Sequence, residues 1–199
     1  MFNPPESGID GIEVEMGWKG KSSATFTGAS GQMAVMGELL HRKCNAAVPQ
    51  VDVGTDVFAF RDDREDVARI QVKTALGDAY KDGMGYKAKF GISLAQLART
   101  DVPPLFYALA VRLKNEWGDF LVISRARLQE LWNDGCGSEN RKSGKLELNV
   151  RFRLEKQAGD APSLQAYCGN MDLSVYLNAW EILPPLKPLE EIAPAPHQT

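Results

Sequence analysis

Gly54-Thr55-Asp56-Val57-Phe58-Ala59-Phe60, then a charged turn from Arg61 to Asp66, then Ala68-Arg69-Ile70-Gln71-Val72-Lys73-Thr74-Ala75-Leu76: read together, these residues decide the fold. The apolar runs Asp56 to Phe60 and Ala68 to Leu76 have the length and composition of strands, and the turn between them predicts a hairpin. In a strand, residues two apart project from one face, so Gln71 and Lys73 point together while Ile70 and Val72 face a core. Asp56, at the head of the neighbouring strand, lies within reach of that pair. Upstream, Asn45 to Pro49 reads as a further short strand. Before it, Met33, Met36, Leu39 and Leu40 recur at helical spacing and predict a helix over Gly31 to Lys43, with Ser30 as its N-cap. The chain is thus expected to run helix, strand, strand, strand.

Further along, Gly77 to Gly85 reads as a flexible glycine loop, which with Lys81, Lys87 and Lys89 is a candidate flap over a substrate. Ser93 caps a predicted helix to Arg99, and Gln96 stands where a capping box needs it. Leu105 to Leu113 and Asp119 to Ser124 read as two buried strands, and Arg125 to Trp132 as a helix burying Leu128, Leu131 and Trp132. After a polar loop over Gly135 to Gly144, Lys145 to Leu154 has the clearest two-residue alternation in the chain. Asp172 to Trp180 is expected to be a short helix capped by Asp172. Residues 1–27 read as an extension with at most an edge strand over Gly11 to Trp18, and the proline-rich end from Pro184 is expected to be disordered.

Composition narrows the function. The chain has 199 residues, 44% hydrophobic and 25% charged, the balance of one globular domain. Its longest apolar stretch, Pro103 to Leu113, contains Arg112 and is far shorter than the roughly 20 residues a membrane helix needs. The start, Met1-Phe2-Asn3-Pro4-Pro5-Glu6, has neither the basic nor the apolar region of a secretion signal, so no membrane and a cytoplasmic location are expected. Cys44, Cys136 and Cys168 are scattered and odd in number, and His41 and His197 are the only histidines. That argues against a disulfide framework and against a zinc site. Any metal would be held by oxygen. A net charge of -3 means that a nucleic-acid partner must meet a local basic patch.

An oxygen-ligand pair beside an ammonium is what phosphodiester hydrolysis needs. The carboxylate of Asp56 would hold Mg²⁺, or Mn²⁺, which polarises the phosphate and acidifies a bound water, while Lys73 offsets charge developing on the phosphate oxygens. Read alone, Asp56 after Gly-Thr also suits a turn, and Lys73 a solvated strand face.

The segment Gly28 to Thr74 carries Gly28-Ala-Ser-Gly-Gln32, Glu38-Leu-Leu-His-Arg42, Val48-Pro49, Asp56 and Ile70-Gln-Val-Lys-Thr74 in order. In this it resembles the PD-(D/E)xK nuclease superfamily, and within it the archaeal Holliday-junction resolvases and small bacterial nuclease-like domains. The resemblance implies an α/β restriction-endonuclease-like core over 28–183, a central mixed sheet flanked by helices, and metal-dependent cutting of DNA. It makes Asp56 and Gln71 the metal ligands and Lys73 the catalytic lysine. Enzymes of this fold that cut both strands often pair, so a homodimer is a further expectation. Two positions depart from the family pattern: Gln71 stands where glutamate is commoner, and Gln32 where a further glutamate belongs on the first helix. Asp56 is then the one anion among the expected ligands. Asp52 or Glu38 would have to compensate, and Glu38 lies about 240° round the helix from Gln32. The departures keep a second reading open: a catalytically silent nuclease fold that binds nucleic acid or a protein partner. A third is an interaction domain without nucleic acid.

The best phosphate-binding surface is the cluster Arg141, Lys142, Lys145, Arg151 and Arg153. Lys145, Arg151 and Arg153 have one parity and share a strand face opposite Leu146, Leu148, Val150, Phe152 and Leu154. Together with Lys87 and Lys89 they are the nucleic-acid-binding candidates, although a solvated sheet face would look the same.

Overall fold

The computed structural model describes residues 21–51, 54–100, 102–114, 116–155 and 161–188. It opens with α1 (Lys21–His41), β1 (Asn45–Ala47), β2 (Val57–Phe60), β3 (Val67–Leu76), β4 (Asp78–Ala79), β5 (Gly85–Ser93) and α2 (Leu94–Leu97). There follow β6 (Leu105–Arg112), β7 (Trp117–Ser124), α3 (Arg125–Asn133), β8 (Ser138–Asn140), β9 (Lys145–Glu155), β10 (Ser163–Cys168) and β11 (Met171–Asp172). Three short 3-10 turns close it at Ser174–Tyr176, Trp180–Ile182 and Pro184–Leu186.

The strands form two sheets. One runs β1-β2-β3-β6-β7 and is mixed, because β3 and β6 are parallel while its other neighbours are antiparallel. The second runs β11-β10-β9-β5-β4, with β8 also paired to β9, and is antiparallel throughout. The chain alternates between them: β1 to β3 belong to the mixed sheet, β4 and β5 to the other, β6 and β7 to the first again, and β8 to β11 to the second.

Each face of the mixed sheet has its own core. Ala68, Ile70 and Val72 of β3 join Phe106, Ala108 and Ala110 of β6 under Val35 and Leu39 of α1. On the opposite face, Ala75, Tyr107, Leu109 and Val111 meet Phe90 and Ile92 of β5 and Leu148, Val150 and Phe152 of β9. Leu97 of α2 and Leu128 and Leu131 of α3 complete this second core. The expected mixed sheet in an α/β chain is therefore present. Its flanks differ from expectation, because a second sheet rather than helices alone covers one face. Side chains such as Leu39, Ile70, Ile92 and Leu109 are fully buried, and each contributes about 1.5–3 kcal/mol. An exposed ion pair contributes about 0–1 kcal/mol, so the two cores hold the fold.

Local expectations fail where chemistry allowed two outcomes. Ser30 is not an N-cap: α1 begins nearer the N-terminus, and the Ser30 hydroxyl donates to the Thr27 carbonyl at 2.9 Å within the helix. Residues 21–27 are thus helix rather than extension, while the edge strand over Gly11 to Trp18 lies outside the described residues. Gly77 to Gly85 is no simple loop, since β4 pairs with β5 across it. Asp172 caps no helix. It belongs to β11, its carboxylate accepts from Ser174 N–H at 2.8 Å, and among the described residues only 3-10 turns follow. Pro184 to Leu186 forms a 3-10 turn beside β3, and the Lys187 carbonyl accepts from Arg64 at 2.5 Å, while residues 189–199 of the end expected to be disordered lie outside the described residues.

Candidate active site

Asp56 immediately precedes β2, and its N–H bonds the Ile70 carbonyl at 2.9 Å, which anchors it to β3. Its carboxylate turns over that strand. Oδ2 accepts from the Val72 N–H at 2.7 Å and from the Gln71 side-chain amide. The hairpin therefore brings Asp56 and Gln71 into direct contact. Lys73 lies two residues beyond Gln71 on β3, so strand alternation gives it the same face, and it is part-buried.

Gln32 also arrives here. Its Nε2 donates to the Asp56 main-chain carbonyl at 2.6 Å, so α1 touches the backbone of the site rather than its carboxylate. Glu38 points elsewhere and pairs with Arg42 at 2.5 Å, and Asp52 lies outside the described residues. Arg69, on the face of Gln71, donates to the buried Thr55 hydroxyl at 3.1 Å.

Gln96 joins the site although its spacing suggests a purely local role. It sits three residues after Ser93, as a capping box requires, and the Ser93 hydroxyl does cap the Gln96 N–H at 3.3 Å. The Gln96 side chain, however, donates to the Gly54 carbonyl at 2.7 Å and to Gln71 Oε1 at 2.6 Å. Gly54 makes room for it, with φ of +90° and a hypothetical Cβ only 2.5 Å from Gln96 Nε2. The four residues Gly54, Asp56, Gln71 and Gln96 thus form one hydrogen-bonded chain beside a Gln71 side chain that is 5% exposed.

The oxygens suited to a hard cation are those of the Asp56 carboxylate and the Gln71 amide. They converge, although the amide turns its nitrogen to Asp56 and its oxygen to Gln96. Among the described residues no group of three or more His, Cys, Asp or Glu side chains is placed to hold a metal. The site thus offers a single carboxylate and one amide oxygen, donors of the kind Mg²⁺ takes, but the amide presents its nitrogen rather than its oxygen to Asp56.

The basic candidates lie elsewhere. Lys87 pairs with Arg151 across β5 and β9, Gly85 with Arg153, and Ser93 with Lys145, which sets these cations on the outer face of the antiparallel sheet. Leu146, Leu148, Val150 and Phe152 occupy the inner face, as the alternation predicts. The second core separates this surface from Gln71. Three of its cations are paired with acids: Lys87 meets Asp78 at 3.1 Å, Lys89 meets Glu147 at 2.7 Å, and Arg153 meets Asp82 at 3.2 Å. Arg151 donates to the Gly169 carbonyl at 2.6 Å.

Among the described residues no helix is long and apolar enough to cross a membrane. No protein-family model, no curated protein and no solved structure matches this chain.

Proposed function

We propose that the chain is a restriction-endonuclease-like protein whose Asp56, Gln71 and Lys73 form a degenerate metal-dependent site for hydrolysing phosphodiester bonds in DNA. What supports this reading is the contact between the Asp56 carboxylate and the Gln71 side chain, with Lys73 next along the same face of β3. Mg²⁺ or Mn²⁺, when bound, would polarise the phosphate and acidify a water. Asp56 and the Gln71 carbonyl would hold that ion. Lys73 would place an ammonium beside the phosphate and offset the charge that grows on its oxygens.

A second reading, a silent nuclease fold that binds nucleic acid or a protein, draws on a separate observation. Both glutamines that replace family carboxylates turn amide nitrogens toward Asp56, one to its carboxylate and one to its carbonyl. A single experiment separates the two. Purified protein is incubated with supercoiled plasmid and Mg²⁺ or Mn²⁺ beside Asp56→Ala and Lys73→Ala variants. The endonuclease reading expects nicked or linear plasmid, reduced at least about 100-fold in both variants. Cutting that persists in Lys73→Ala marks a contaminant and defeats it. Retention of plasmid without cutting, weakened by salt and by Arg151→Ala with Arg153→Ala, supports the silent form.

A further inference from the structure

We propose that Gln96 is a positioning residue that sets the polarity of the Gln71 amide, and so decides whether an N–H or an oxygen faces a cation at Asp56. The inference rests on the metal-site reading above and deepens it.

Two groups at the ends of this hydrogen-bonded chain can only accept. The Gly54 carbonyl has no hydrogen to give, so the Gln96 atom 2.7 Å from it must be the amide nitrogen. That nitrogen carries two hydrogens, and the second goes to Gln71 Oε1 at 2.6 Å. With its oxygen occupied, Gln71 has only its own nitrogen to present to Asp56, and the carboxylate, again only an acceptor, takes it. Acceptors at both ends thus dictate the direction of both amides between them.

Turning Gln71 alone sets its nitrogen against the nitrogen of Gln96 and its oxygen against the Asp56 carboxylate. A divalent cation between that oxygen and Asp56 relieves the second conflict. The first stays. Turning Gln96 as well only moves the conflict, because its oxygen then opposes the Gly54 carbonyl. No arrangement with Gln96 in place gives Gln71 a metal-facing oxygen without an opposed pair, and Gln71 is too buried for water to fill in. The Ser93 hydroxyl fixes the place of Gln96 by capping its main-chain N–H, and Gly54 leaves the space that its side-chain amide occupies.

Glutamate at position 71 escapes the conflict. One carboxylate oxygen accepts from Gln96 while the other ligates the ion, so the effect of residue 96 must depend on what stands at 71.

The test is a double-mutant cycle on the full chain, read by Mn²⁺ titration with electron paramagnetic resonance or calorimetry rather than by cutting. Gln96→Met keeps the volume of the side chain and removes the donor, and Gln96→Leu is the second choice should Gln96→Met fail to fold by thermal melting. Gln96→Met is expected to tighten Mn²⁺ binding about three- to ten-fold with Gln71 present. In the Gln71→Glu background, itself tighter than wild type, the same change is expected to give no gain. Tightening by Gln71→Glu, with no effect of position 96 in either background, overturns the inference and leaves the metal site standing. Equal gains from Gln96→Met in both backgrounds also overturn it, since polarity would then be irrelevant. Absence of Mn²⁺ binding even in Gln71→Glu defeats the metal site itself, and the inference with it.

Discussion

Asp56 bears on stability before it bears on chemistry. Its carboxylate is the acceptor for the Val72 N–H and the Gln71 amide, both part-buried. Asp56→Ala orphans two donors and is expected to cost about 2–4 kcal/mol in urea unfolding, whereas Asp56→Asn keeps one acceptor oxygen and costs about half as much. Equal losses would mean that packing rather than acceptance matters at this position. The Asp56–Gln71 contact was legible in the sequence, because a hairpin with two-residue alternation leaves few places for either side chain. The role of Gln96 was not. Serine followed three residues later by glutamine is the spacing of a capping box, and the side chain's true partners, Gly54 and Gln71, lie far off in the chain. Local pattern cannot choose between a near acceptor and a distant one.

At the scale of elements, α1 shows how one residue type serves opposite ends. A Cβ on Gly31 would stand 1.8 Å from Thr74 Oγ1 and 3.0 Å from the branching carbon of that side chain, whereas one on Gly37 meets nothing within 4 Å. Gly31→Ala should therefore push α1 off β3 and destabilise by about 1–3 kcal/mol. Gly37→Ala, in the same helix, should stabilise by about 0.5–1 kcal/mol. Thermal or urea unfolding of the two variants checks both signs. The helix itself was expected from its apolar spacing, but Met33 and Leu40 of that pattern are exposed while Val35 and Leu39 face the core. Its start was not readable, since Ser30 bonds back to Thr27 and looks the same in sequence as a cap. β5 is hard to read for a related reason. Tyr86, Ala88, Phe90 and Ile92 alternate cleanly and are buried, yet the stretch Gly77 to Gly85 that leads into them reads as loop. The alternation is the better signal, because pairing with β9 along the whole strand outweighs the cost of glycine.

Across the whole molecule, two weak acids are kept neutral inside the fold. Burial pushes the Cys44 thiol and the Tyr86 phenol up. A folded pKa above the unfolded one gives stability that is complete below the unfolded value and is lost as pH rises through the folded one. Urea midpoints should hold from neutral pH to about 8.5, the ordinary thiol value, and fall above it. A Cys44→Ala variant should lose the early part of that fall, whatever it costs at neutral pH; an unchanged profile would show that other groups govern the alkaline limit. The basic outer face illustrates the limit of sequence reading at this scale. Its shared parity was legible, but not the acids that meet Lys87 and Arg153, because Asp78 and Asp82 lie in a segment that reads as loop.

The alternation of the chain between its two sheets has a consequence during synthesis. β5 carries Phe90 and Ile92 toward the inter-sheet core, yet the strand that zips along its full length, Lys145–Glu155, is made only after β6, β7 and α3. Until then β5 has only the two-residue β4 beside it and presents a bare, half-apolar rim to the ribosome's surroundings. A nascent or truncated chain ending before Lys145 is thus primed to recruit foreign strands, and clumping of such fragments is the failure this topology invites.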